Sequence, residues 1–369
     1  MTLVERVHRA VDAAPVVDLH THLFAPQFGD LNLWGIDELL TYHYLVAETL
    51  RAEPDLTPEE LFASDKPSQA DLIWQSLFVR QSPLSEATSG VKTVLAAFGL
   101  DPAAPDLKEA RAYFAKQTRE EHLEQVLELA NVKALAMTND PTHPKEREYW
   151  DAGVKPDPRF HAVLRLDRLI HQDKPELDRW IERMNPRYLA ISVEEIEPPS
   201  NKVLDACRKY NLPFAMMVGV RRAVNPRLGG AGDGMVVADL SPLAALARHN
   251  PDVRFLVTTL ARENAHGLCV LARKFSNILP FGCWWFMNNP SLVTETTLMR
   301  LELLGPTFVP QHSDARILDQ LIYKWRHARH AIAKALVQRY EDMIVPPSNE
   351  QIERDAKALM GGIAERWMA

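Results

Sequence analysis

The segment Val16-Val17-Asp18-Leu19-His20-Thr21-His22 ends a short apolar run in two imidazoles. Side chains alternate across a strand, so His20 and His22 project to the same side. Two imidazoles converging from one strand end can hold a divalent metal. With 13 His in 369 residues, chance alone gives roughly 0.5 H-x-H pairs, so the tripeptide by itself decides little. The strand before it and the rest of the chain give it weight. Near the C-terminus His312, Asp314 and Arg316 follow another apolar run. His20, His22 and Asp314 make a three-ligand set with positions left for water or substrate. Such a set suits zinc, and also manganese, iron or cobalt. Arg165, Arg222 and Arg316 can grip a carboxylate through bidentate hydrogen bonds, which points to an anionic substrate.

Eight apolar runs would position these groups: residues 16–19, 132–137, 160–164, 188–193, 213–218, 253–257, 278–281 and 308–310. From about residue 131 each is followed by a polar loop and a helical stretch. Strands alternating with helices imply parallel βαβ units, and eight of them predict an α/β fold of the (β/α)8 TIM-barrel type. No G-x-G-x-x-G follows any run, which disfavours an open dinucleotide-binding sheet. In a barrel the chemistry sits just past the strand C-termini. There lie His20 and His22, Thr138-Asn139-Asp140, Arg165 with Asp167, Arg221 and Arg222, Trp284 and Trp285, and finally His312, Asp314 and Arg316. On a strand end at most one of the two tryptophans faces the pocket.

Residues 27–130 break the alternation and predict a helical insertion after strand one, with helices over 36–51, 68–79 and 107–130. Ser348-Asn349-Glu350-Gln351 has the form of a capping box opening a last helix over 352–368. Residues 1–369 are expected to form a single barrel domain, with 348–369 as its C-terminal helix.

Composition narrows the classes. A net charge of −7 leaves no basic footprint for nucleic acid. No apolar run approaches the length of a membrane span. The first residues read as a charged amphipathic helix, and Cys207, Cys269 and Cys283 are too scattered for a disulfide framework or a Cys-type zinc site. A cytoplasmic, reduced setting is expected.

H-x-H after strand one with an Asp after strand eight resembles the amidohydrolase superfamily of metal-dependent barrels, and closer motifs resemble its uronate (glucuronate) isomerases. Tyr42-His43-Tyr44 keeps the H-Y of that family's D-H-Y-K-W-R stretch. Met137-Thr138-Asn139-Asp140-Pro141 is similar to T-T-D-D-P, Leu164-Arg165-Leu166-Asp167 to F-R-P-D, and Gly282-Cys283-Trp284-Trp285-Phe286 to G-x-x-W-W-F. Ser313-Asp314-Ala315-Arg316 resembles T-D-S-R. The ordered set identifies the chain as a divergent, short member. Tyr42 stands where the family has Asp, Leu45-Val46-Ala47 replaces K-W-R, and Met217 stands where strand five usually carries His.

The resemblance implies aldose–ketose isomerisation of a hexuronate (D-glucuronate or D-galacturonate), the alternative being a metal-dependent hydrolase or decarboxylase of a small carboxylate or lactone. It implies Tyr44, Asp314 and His43 as catalytic residues, and His20, His22 and Asp314 as holders of a divalent metal, zinc first. Arg222, Arg316, Trp284, Trp285 and Arg165 would bind a sugar acid. The protein would act without nucleic acid or membrane, in a monomer or a homo-oligomer. Plainer roles compete: Asp314 as a helix cap, His43 and Tyr44 as core residues, and the arginines as salt-bridge partners.

Overall fold

A computed structural model describes residues 1–171 and 176–369. Seven strands form one parallel sheet: β1 (Val16–Thr21), β2 (Val132–Asn139), β3 (Phe160–Arg165), β4 (Leu189–Val193), β5 (Phe214–Val218), β6 (Phe255–Thr259) and β7 (Ile278–Pro280). Each pairs with the next in sequence. Every residue of β1, β5 and β6 is buried, as a sheet covered on both faces requires.

The eighth run closes the ring without becoming a regular strand. Phe281 and Val309 form an isolated parallel bridge. Gly282 N–H donates to the Val309 carbonyl (2.8 Å) and Val309 N–H to that of Pro280 (3.1 Å). Pro280 and Pro310 have no N–H to donate, which prevents a longer ladder. Beyond them the chain turns back onto β1: Asp314 N–H donates to the His20 carbonyl (3.1 Å), and His22 N–H to that of Ala315 (2.7 Å). These two bonds bring the residues after strand eight against the H-x-H.

The insertion between β1 and β2 is helical, with different breaks from those the periodicity predicts. Residues 36–51 divide into Ile36–Leu40 and His43–Ala52, because Tyr42 is extended and opens a new helix at His43. Thr118 and Glu121 form a capping box that starts Arg119–Ala130 afresh after Lys108–Phe114. Two further helices, Pro58–Ala63 and Glu86–Ala97, begin at Thr57 and Ser85. Their caps are visible in the sequence as Thr57-x-x-Glu60 and Ser85 followed by Glu86. The C-terminal helix starts at Asn349, earlier than expected, and is interrupted by a π turn at Ala358–Gly362 where Gly361 packs on Pro15 and Val17. No helix among the described residues is long and apolar enough to cross a membrane.

Helix Gln320–Glu341, 22 residues long, ties the insertion to the barrel. It packs on Leu3–Ala13, Glu86–Ala97, Arg119–Ala130 and Pro290–Leu304. Gly90 lets it approach, since a Cβ there would stand 2.6 Å from the Tyr323 ring. At its start the fully buried Asp319 accepts from His122 (Nε2 to Oδ1, 2.8 Å) and from Gly35 N–H (2.8 Å). Asp319→Ala would orphan two buried groups and is expected to lower unfolding stability by about 3 kcal/mol. Urea unfolding measures this, and a change under about 1 kcal/mol would show the pair to be dispensable.

Candidate active site

His20 is 2% exposed and Asp314 is 5% exposed, with His22 half-buried between them and the solvent. Nε2 of His20 and of His22 lie 3.7 and 3.3 Å from Asp314 Oδ1. One donor atom from each of the three residues falls within 4.8 Å of the others.

Neighbouring hydroxyls orient both imidazoles. Thr138 Oγ1 donates its one proton to the Thr21 carbonyl (2.7 Å), so at 3.0 Å from His22 Nδ1 it can only accept. That fixes His22 with its proton on Nδ1 and a lone pair on Nε2. Tyr188 repeats the arrangement. Its hydroxyl donates to the Leu19 carbonyl (2.6 Å) and stands 3.4 Å from His20 Nδ1. Both Nε2 lone pairs therefore face a carboxylate oxygen, three acceptors without a proton among them. His20 Nε2 and Asp314 Oδ1 are buried and have no hydrogen-bond partner. Burial pushes the basicity of both imidazoles down, well below the usual value for His20, so protonation is a costly remedy. Two neutral imidazoles and a carboxylate, each held by an outer hydrogen bond or backbone contact, fit a divalent cation.

Asp18 completes the support and is a residue that the motif reading did not single out. It stands two residues before His20 on β1, where the pairing with β2 slips in register between Asp18 and Thr21. Its carboxylate accepts from Ser313 N–H (3.1 and 3.2 Å), Trp325 Nε1–H (2.9 Å) and His20 N–H (3.3 Å). Complete burial pushes Asp18 up to about 6 despite these donors. The Ser313 bond fixes the residue before Asp314, whose own backbone is left-handed (φ 51°), a conformation that Asp tolerates better than most residues.

The other expected residues divide. His43 and Tyr44 open helix His43–Ala52 with His43 Nε2 and the Tyr44 hydroxyl buried and unpartnered. Burial and the Arg316 charge lower His43 to about 3. Burial raises the Tyr44 phenol well above its usual value, so it is a neutral O–H and not a phenolate.

Trp285 stacks toward His43 (5.3 Å between ring centroids), whereas Trp284 packs into the core at 4% exposure. They separate because the chain has left β7 and turned at Trp285 (φ 45°), not because of strand alternation. Arg165 Nε binds Asp167 (3.2 Å), and its charge reaches His20 and His22. Arg316 is exposed, and its charge reaches His22, His43 and Tyr42.

Arg222 is not brought to this cluster. Gly219 (φ 101°) turns the chain into a hairpin, Val220–Arg221 with Gly234–Met235. There Arg222 is exposed and binds Asp233 at 2.5 Å. Met217 is buried in β5 and offers no ligand where the resemblance implied His. His312 is fully buried with both ring nitrogens unpartnered, 5.4 Å from the His20 ring. Gly282 makes room for it, since a Cβ would lie 1.7 Å from His312 Nδ1. It neighbours the three-donor group without joining it. A cavity of about 230 Å³ opens beside the cluster, lined among others by His43, Tyr44, Trp285, Asn288, Tyr323 and Lys324.

No family model and no curated protein sequence matches the chain. Solved structures do. A uronate isomerase from Bacillus halodurans is 47% identical with a TM-score of 0.95, covering 99% of this chain and 96% of that one. A uronate isomerase from Thermotoga maritima (14% identical, TM-score 0.77, 100% and 97% covered) shares the fold. So does a glucuronate isomerase from Caulobacter crescentus (14% identical, TM-score 0.75, 99% and 93% covered). With nearly half its residues identical to the first over almost the whole of both chains, the protein belongs to the uronate isomerase family.

Proposed function

We propose that the protein is a metal-dependent aldose–ketose isomerase that interconverts D-glucuronate or D-galacturonate with its ketouronate. The observation that carries this is the His20–His22–Asp314 cluster in a chain 47% identical to a uronate isomerase. The reaction moves a proton from C2 to C1 and a hydroxyl proton from O2 to O1. In this reading Asp314 takes the C2 proton and returns it to C1. Tyr44, kept as a neutral phenol by burial, donates to O1 and accepts from O2, so it relays the second proton without ionising. The neutral His43 ring accepts from a sugar hydroxyl, and Trp285 covers one face of the substrate. Arg165 and Arg316 bind its oxygens; Arg222 has no part.

When bound at His20, His22 and Asp314, a divalent cation, zinc before manganese, iron or cobalt, supplies charge stabilisation to the oxygens of the enediolate-like transition state. Proton NMR of the metal-reconstituted protein with each sugar in D2O tests the proposal. Ketouronate signals are expected, with or without deuterium at the transferred position. Unchanged sugars in the presence of confirmed metal would overturn it and direct attention to hydrolysis or decarboxylation, read as release of an acid or of CO2.

A further inference from the structure

The hairpin that carries Arg222 away from the metal cluster comes back to the site at its tip. Gly219 N–H donates to the Val193 carbonyl, and the Gly219 carbonyl accepts from Val236 N–H (2.9 Å each), so both stems are fixed at the end of the sheet. Between the stems the chain braces itself. Arg222 and Ala223 N–H both bind the Asp233 carboxylate, and Asn225 N–H donates to the Gly232 carbonyl (3.0 Å). Gly232 makes this close turn possible, since a Cβ there would stand 2.0 Å from the Asn225 carbonyl oxygen.

The hold of this hairpin on the rest of the molecule is slight. Residues 221–227 are all exposed. Arg221 binds Glu194 at the foot of the hairpin. Among the described residues, the other side-chain hydrogen bonds that leave residues 220–235 run from Arg227 to Glu59, Nε to Oε1 at 3.0 Å and Nη2 to Oε2 at 2.7 Å. Glu59 belongs to helix Pro58–Ala63 of the insertion. The contact is bidentate and well aligned, yet with the two side chains 60 and 62% exposed it is weak and screened by salt.

What this contact spans is the cavity beside the cluster. The turn Pro226–Gly232 packs against helix His43–Ala52, and Ala231 stands in the cavity wall with His43, Tyr44 and Trp285. A self-braced segment fixed at its stems and tied at its tip by one exposed ion pair can release that tip while the barrel stays intact.

We propose that residues 220–235 form a strap over this cavity, latched by Arg227 and Glu59, that swings out to admit the sugar and closes on it. This role presupposes that the sugar of the isomerase reading occupies the cavity, and adds to that reading the element controlling exchange with solvent. Gly219 (φ 101°) is the hinge. Closure takes bulk water away from the sugar while a proton moves between its carbons.

Position 231 reports the state of the strap. Ala231→Cys places a thiol in the cavity wall, and Cys207, Cys269 and Cys283 are buried, so alkylation by iodoacetamide, a neutral reagent, reads that thiol by mass spectrometry. Labelling is expected to be slow with the latch intact and about 3- to 10-fold faster when Arg227→Glu is added. It should be slow again when Glu59→Arg completes the reversal of the pair. A second protein, Glu59→Cys with Arg227→Cys, is joined by a bis-methanethiosulfonate whose spacer replaces the two side chains. Its turnover of D-glucuronate should fall at least about 10-fold and return on reduction, whereas wild type treated in the same way should be unaffected.

Equal labelling in the three latch states would overturn the strap, and so would full turnover by the tethered protein. Failure of the isomerase reading is distinguishable. Labelling needs no sugar, so its dependence on the latch would persist in a protein that converts neither uronate.

Discussion

Asp314→Asn is expected to remove metal and turnover together. The carboxylate supplies the only formal negative charge among the three donors, opposed by two imidazoles whose protons are held on Nδ1 by Thr138 and Tyr188. An amide at this position changes more than charge. Its NH2 can donate to the lone pairs of His20 and His22, so the pocket satisfies itself and no cation is needed. Turnover should fall by at least about 10³-fold, the loss typical of a positioned general base compounded by the missing ion. Metal analysis of the purified variant, beside NMR turnover, checks both halves.

The thermal midpoint provides a third reading. Wild type should be stabilised by added metal and destabilised by a chelator, whereas the variant should respond to neither. Metal-free variant should melt above metal-free wild type, because three mutually repelling acceptors have become two acceptors and a donor. A variant that retains one equivalent of metal would remove Asp314 from the ligand set.

What was legible in the sequence followed from local pattern. Apolar runs bounded by polar loops identify the strands, because a parallel strand buried on both faces has no other composition open to it. H-x-H is legible because two imidazoles two residues apart at a strand end can reach one point, and both Nε2 atoms do approach Asp314 although the β1–β2 register slips between Asp18 and Thr21. The misplacements arise where the chain stops being periodic. Arg222 looks like a strand-end residue, yet Gly219 turns it out to solvent. That one of Trp284 and Trp285 meets the pocket agrees with alternation, but a 3-10 turn beginning at Trp285 is what brings it to His43. The helices at 58–63 and 86–97 carry readable caps that a reading by periodicity alone passes over. Asp18 is beyond local reading altogether, since its meaning lies in partners brought from distant parts of the chain.

Asp18 shows how much that distance conceals, and replacing it should be the most damaging change outside the ligands themselves. Asp18, His20 and His22 all come from β1 and the residue just past its end. Two members face Asp314, and the first binds the backbone that carries Asp314. Asp18→Ala leaves Ser313 N–H, Trp325 Nε1–H and His20 N–H buried without an acceptor. The expected loss is about 3–5 kcal/mol of unfolding free energy, measured by denaturant unfolding of metal-free protein so that ion binding does not enter. In the folded fraction the segment from Ser313 to Ala315 loses the bond that aligns it, and metal affinity should drop about 10- to 100-fold, as when outer partners of ligands are removed elsewhere.

Trp325→Phe provides the contrast. It withdraws one donor from Asp18, leaves the Ser313 bond in place and should cost about 1 kcal/mol with metal affinity nearly unchanged. If the two variants lowered metal affinity equally, the Ser313 bond would have no special part. If Asp18→Ala unfolded the protein yet left affinity intact, Asp18 would serve the core alone. The expected pattern is instead a split: stability lost in both variants in proportion to the hydrogen bonds removed, affinity lost where the Asp314 backbone is released.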